Sequence, residues 1–188
     1  MTTQSNIEAA LTLGFNTPRG SAPAEAVSTM CSFTRPNDAT PYNANDVVTD
    51  NSGAARSLVF PNVGRGGLIV AANLVVGHTA TADFDLFLFE QEPTNFLDNA
   101  ALALVATDQP KCIGVFRFIT GSKVNMGTNL ELYRATSATT DQSLPPIAYA
   151  SSGLSGGLLY GLLISRSAYT PAAQCKFTAR LSLLRNGG

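Results

Sequence analysis

Apolar and polar positions alternate with a period of two along much of this chain, and the segments that do so predict strands. The clearest is Lys176–Leu184. There Phe177, Ala179, Leu181 and Leu183 form a predicted inward face, while Thr178, Arg180 and Ser182 form the outward one. Asp83–Glu90 reads DFDLFLFE. Phe84, Leu86 and Leu88 share one face and Phe87 and Phe89 the other, so this strand is expected to be covered on both sides. Leu68–Val76 and Cys112–Thr120 are apolar and rich in β-branched or aromatic residues. Shorter candidates are Val27–Thr34, Val47–Thr49, Ser57–Phe60, Thr128–Tyr133, Ile147–Ala150 and Leu158–Ser165. Asp98–Val105 fits either a helical turn or a further strand. Turn signals stand at Asp50-Asn51-Ser52-Gly53, Gly64-Arg65-Gly66-Gly67 and Ser151-Ser152-Gly153. Roughly ten short strands between such turns, with no repeat of fixed period, predict an all-β fold, a sandwich, jelly roll or barrel; the reading taken is an antiparallel, jelly-roll-like β-sandwich whose strand order stays open.

Residues 1–26 depart from this pattern. Pro18, Gly20 and Pro23 forbid a continuous helix, and only Ile7–Leu13 suits a short helical stretch. The segment reads as an extended N-terminal arm ahead of a sandwich domain at 27–188. At about 3.3 Å per residue it reaches tens of ångströms. Leu11, Leu13 and Phe15, with Arg19 beside them, are expected to dock on a partner.

Composition narrows the function classes. A length of 188 residues suits one domain plus an arm. Only 13% of residues are charged, against about 25% in an ordinary globular protein. Ala, Thr, Ser, Asn and Gly fill the difference, giving a polar but weakly charged surface suited to permanently covered contacts. The net charge is −1 and no dense Lys/Arg cluster occurs, which argues against nucleic acid as a partner. The N-terminus lacks the basic and apolar regions of a secretory signal, and no run of about eighteen apolar residues offers a membrane helix. Synthesis in a cytoplasm and no membrane partner are expected. Cys31, Cys112 and Cys175 are odd in number and widely spaced, so they read as small buried hydrophobes in a reducing compartment, not as a zinc or redox site.

Candidate chemistry is sparse. Gly153-Leu154-Ser155-Gly156-Gly157 matches the G-x-S-x-G nucleophile elbow, but a strand-like LLYGLLIS follows it where a helix is needed. The single histidine, His78, precedes Ser155 in the chain, in the wrong order. His78 itself, in Gly77-His78-Thr79-Ala80, predicts an exposed turn. Asp83 and Asp85 share a strand face as paired glycosidase carboxylates would, yet the chain has no Trp to form a sugar platform. Asn43-Ala44-Asn45-Asp46 with Asp50-Asn51 has calcium-loop residue types, and the same residues serve turn chemistry. Gly64-Arg65-Gly66-Gly67 precedes a strand, which favours a turn over an anion cradle. Neither a P-loop nor a dinucleotide fingerprint occurs. The expectation is a non-enzyme without cofactor or metal.

Phe33-Thr34-Arg35-Pro36-Asn37-Asp38-Ala39-Thr40-Pro41-Tyr42-Asn43-Ala44-Asn45-Asp46-Val47-Val48 resembles a stretch common in small virion proteins of tailed bacteriophages. Asp98-Asn99-Ala100-Ala101, Ile113-Gly114, Leu159-Tyr160-Gly161-Leu162-Leu163 and Thr170-Pro171 extend the resemblance over roughly residues 30–184. It implies a β-sandwich on the virus particle, most often a capsid cement (decoration) protein and sometimes a tail, neck or head-fibre part. The expected partners are then the major capsid protein and further copies of the chain in a homotrimer, on the capsid surface. A carbohydrate-binding module on the virion is the alternative, with Tyr42, Tyr133, Tyr149, Tyr160 and Tyr169 as stacking candidates.

Within the motif, Pro36 holds Arg35 extended and ends a strand. Asp38 and Thr40 are placed to bond local backbone, and Asp46 to fix the start of the next strand. An ordered loop carrying Arg35, Asp38 and Tyr42 suits a protein contact. It equally suits a rigid loop packed on its own domain.

Overall fold

The alternation in the C-terminal segment is realised in space: Phe177, Ala179, Leu181 and Leu183 are buried and Arg180 is exposed. A computed structural model describes residues 22–50, 55, 57–135, 146–150 and 157–187. Among them are eleven strands: β1 (Ala22–Thr34), β2 (Val47–Val48), β3 (Leu58–Phe60), β4 (Gly67–Val76), β5 (Phe84–Phe89), β6 (Cys112–Phe118), β7 (Val124–Gly127), β8 (Leu130–Arg134), β9 (Ile147–Tyr149), β10 (Leu159–Ser165) and β11 (Lys176–Gly187). They form two antiparallel sheets packed against each other, the expected β-sandwich. One sheet runs β1-β11-β4-β8-β7, with β9 on the same edge of β4 as β8. The other runs β2-β10-β5-β6, with β3 also on β10.

All ten expected strands are present, with shifted ends. β1 begins inside the segment assigned to the arm: Ala22 pairs with Gly187, Glu25 with Arg185 and Ala26 with Leu184. The sheet therefore already includes Ala22, and residues 1–21, with Leu11, Leu13, Phe15 and Arg19, lie outside the described residues. β7 has no counterpart in the sequence reading, because its four residues are all exposed and show no alternation. Thr128 and Asn129, expected in a strand, instead form the tight turn joining β7 to β8, with Asn129 at φ 58°. Asp98–Val105 is neither helix nor strand; its ladder contact is the single bridge of Ala101 to Asp46. Asn51–Gly53 and Ser151–Gly153 lie outside the described residues, and a bend at Arg65–Gly66 leads into β4 as expected.

Local irregularity explains the continuous apolar run of β4. Ser182 faces Ala71 but Leu183 faces Ile69, so Val70 is an extra residue in a β-bulge. The bulge shifts the parity: Ile69 points inward before it, and Ala72, Leu74 and Val76 after it. Gly67 sits at a close approach, since a Cβ there would run into the Leu184 carbonyl.

The core lies between the sheets and centres on Phe84. Its ring makes edge contacts with Tyr133, Tyr169 and Phe177 at centroid distances of 5.8, 5.6 and 5.8 Å. β5 is covered on both faces, as its pattern predicts: Phe84, Leu86 and Leu88 enter this core, while Phe87 and Phe89 join a second cluster under Phe96, Leu102 and Leu104. Phe84→Ala is expected to lower stability by about 3–5 kcal/mol, because the cavity sits among rings that cannot collapse into it. Urea unfolding monitored by circular dichroism measures this, and a loss below about 1 kcal/mol would contradict the central placement of Phe84.

Candidate functional site

Pro36 cannot continue β1, so the chain turns after Thr34 and Arg35 swings inward. Its backbone N–H donates to the Cys175 carbonyl (3.0 Å), and its side chain is fully buried. Nη2 donates to Asp98 Oδ2 at 3.0 Å and to Asp38 Oδ1 at 3.4 Å. The guanidinium carbon stands 4.5 Å over the Tyr42 ring, a cation–π contact. Asp98 also accepts from the Tyr42 hydroxyl at 2.6 Å and from the Thr49 N–H at 2.9 Å. Tyr42 stacks on Tyr169 at 5.3 Å, and the two residues bridge through their backbones. One carboxylate thus joins the loop after β1, the start of the chain beyond β2 and the segment 91–108.

Electrostatics follow from this burial. Desolvation, with the bond to Asp98 and its charge, drives the Tyr42 phenol far above its ordinary range. Burial works against the Arg35 charge, but Tyr42 and Asp98 outweigh it and the guanidinium stays ionised. The Asp98–Arg35 pair is therefore a fixed structural ion pair and the phenol a permanent donor. The phenol is not placed to give up its proton near neutral pH.

The contact-surface expectation for the loop is corrected here for two of its three residues. Arg35 and Tyr42 are 2% and 0% exposed, because the buried counter-ion Asp98 and the stacking partner Tyr169 lie in their own domain. Asp38 stays at the surface and accepts from the Thr40 N–H at 3.0 Å, the local order expected of it. Asp46 accepts from the Asn43 N–H at 2.6 Å just before β2, also as expected. Sequence reasoning missed Asp98 as the centre of the network. Its only signal was membership of the second resembling segment, since its partners lie 56 and 63 residues away.

Other candidates are likewise engaged. Asp85 is clamped by Arg117 (2.8 and 3.0 Å), with Arg166 Nε at 3.3 Å, and Asp83 accepts from the Thr120 N–H at 2.7 Å. The two carboxylates hold neighbouring strands and turns. Asn45 Oδ1 accepts from Arg166 Nη1 at 2.9 Å, and Asp46 closes the local turn through the Asn43 N–H; Asn51 lies outside the described residues. His78 is half-buried, not exposed, with Nδ1 2.9 Å from the Thr79 carbonyl. Cys175 is buried and Cys31 and Cys112 half-buried; burial pushes all three thiols up, Cys175 to about 11. Ser155 lies outside the described residues, and the chain beyond it enters strand β10. Tyr42, Tyr133, Tyr149 and Tyr169 are core residues, which removes four of the five stacking candidates for a sugar.

The remaining candidate is a surface. Met30, Leu68, Val70 and Leu184 stand 55, 38, 37 and 39% exposed on the outer face of the six-stranded sheet. No element among the described residues covers this face, whereas the segment 91–108 lies over the smaller sheet. Neither the protein-family models nor the curated proteins give a match to this chain.

Two outcomes follow from the buried polar groups. Asp98→Ala leaves the buried guanidinium without its buried counter-ion, with only the more distant, half-exposed Asp38 beside it, and is expected to cost about 3–5 kcal/mol. Asp38→Ala removes that solvent-exposed carboxylate from the same Nη2 and is expected to cost under about 1 kcal/mol. Equal losses in denaturant titrations would refute the hub assignment. For Glu131, burial alone would raise the pKa. Lys123 at 2.9 Å, the Ala80 N–H at 3.0 Å and the Tyr133 hydroxyl outweigh it and hold the carboxyl below its ordinary 4.5. A depressed folded-state pKa stabilises fully above the unfolded value and is lost as pH falls through the folded one. The stability gap between the wild type and Glu131→Gln is therefore expected to be present at about pH 7 and to close progressively below about pH 4.5, read by thermal melts across that range.

Proposed function

We propose that this chain is a structural protein of a tailed-bacteriophage virion, a cement protein that binds the major capsid shell and stabilises it as a jelly-roll-like homotrimer. One observation carries the reading. Two of the segments that resemble such proteins, 33–48 and 98–101, are far apart in sequence but joined in space. Asp98 bonds Arg35, Tyr42 and Thr49, and Val47 exchanges backbone bonds of 2.8 Å with Ala100 and Asn99. The two segments thus form one physical unit, which supports reading them together.

The mechanism is non-covalent. The surface carries little charge that must be desolvated, so apolar burial at about 25 cal/mol per Å² contributes with small polar cost. Association opposes this through lost rotational and side-chain freedom. Repetition over many sites turns modest contacts into a shell that withstands heat and internal pressure.

Quantitative mass spectrometry of purified particles from the source of this chain tests the reading. A copy number within a few-fold of the major shell protein is the expected result. A ratio near one per hundred would assign the protein to the tail, neck or head fibres, and absence from the particle would overturn the virion role.

A further inference from the structure

The register of the six-stranded sheet fixes what its outer face presents. Across β1, β11, β4 and β8, one row reads Met30, Arg180, Asn73, Arg134. Partners in a row share a face, and neighbouring strands lie about 4.8 Å apart, so the two arginines stand roughly 10 Å from each other with a neutral amide between them. Lys176 lies on the same face four pairs further along β11. None of these three cations has an ion pair among the described residues.

Apolar rows flank the cationic one. Toward one end Leu184 faces Leu68 beside the bulged Val70; toward the other Val75 faces Leu132, which faces Val124. The face also lacks carboxylates among the described residues. Glu131 on β8 points inward and is buried, and Glu25 has the opposite parity on β1, bonded to Arg185 at 2.7 and 2.9 Å.

We infer that this face is the surface that docks on the shell, and that the shell patch it meets sets carboxylates against the Arg180–Arg134 row between apolar flanks. The inference rests on the proposed cement role and names the contact within it. Charge complementarity selects the occupant. A second copy laid face to face across a two-fold axis sets cations against cations, which opposes association. Nucleic acid would meet the three cations but leave both apolar rows uncovered, and so few phosphate contacts give a weak, salt-sensitive complex. A protein patch with acidic side chains in an apolar surround satisfies both features.

The test uses the full chain and DNA-free shells of the major capsid protein from the same source, with binding measured by co-sedimentation. Arg134→Glu/Arg180→Glu changes two exposed side chains, and thermal melts verify its fold. Val105→Glu is the control, since Val105 is exposed on the segment over the opposite sheet. The double variant is expected to bind at least about tenfold more weakly at low salt, with a gap that narrows at about 1 M salt, while Val105→Glu binds like the wild type. Wild-type binding that the double variant retains in full would overturn the docking face and leave the cement role standing. Failure of the wild type to bind would overturn both.

Discussion

A guanidinium taken wholly out of water is the constraint around which the loops of this protein are arranged. Arg35 has no exposed side-chain surface, and removing such a charge from solvent costs several kcal/mol unless a counter-ion answers it. Asp98 is that counter-ion, and it accepts three hydrogen bonds at once, from Arg35, Tyr42 and the Thr49 backbone. Two of the bonds come from the loop after β1 and the third from the chain beyond β2. Meeting the electrostatic demand of one residue therefore fixes where the chain goes after β1, how it leaves β2 and where the segment 91–108 returns. The stacked pair of Tyr42 and Tyr169 ties the same cluster to the entry of β11.

The same logic recurs at the rim of each sheet. Asp85 answers Arg117 and Arg166, Glu131 answers Lys123 and Tyr133, and Asp108 answers Lys111 while accepting from the Thr94 N–H. These carboxylates are nearly buried, and each stabilises a turn or a strand pair. A chain with so few charged residues has engaged many of its acids internally. That use leaves the outer face of the six-stranded sheet with cations and apolar residues but no acid among the described residues.

The two sheets differ in how they meet their surroundings. The smaller sheet is apolar on both sides, and its outer residues Phe87 and Phe89 are packed beneath Phe96, Leu102 and Leu104. Among the described residues the six-stranded sheet buries one face, and its other face carries exposed Met30, Leu68 and Leu184. Apolar groups that the described residues leave uncovered on a sheet face are suited to an intermolecular contact, and the low charge density keeps the desolvation cost of that contact small.

The sequence by itself determined the class of fold, the positions of ten strands and the facing of β5 and β11, because a period of two in apolar residues is a local property that strand geometry converts directly into burial. It also determined the local order of the Arg35–Asp46 loop, where Pro36, Asp38 and Asp46 act over a few residues. Only the tertiary structure decided the strand order, the bulge at Val70, the exposed strand β7 and the inward turn of Arg35 and Tyr42. The bulge and the arginine depend on partners distant in sequence, Leu183 opposite Ile69 and Asp98 respectively, while β7 pairs with neighbouring β8 but shows no alternation that would mark it. An arginine and a tyrosine in a polar loop read the same whether they face solvent or core. What separates the two cases is a carboxylate more than fifty residues away, and no local pattern encodes that distance.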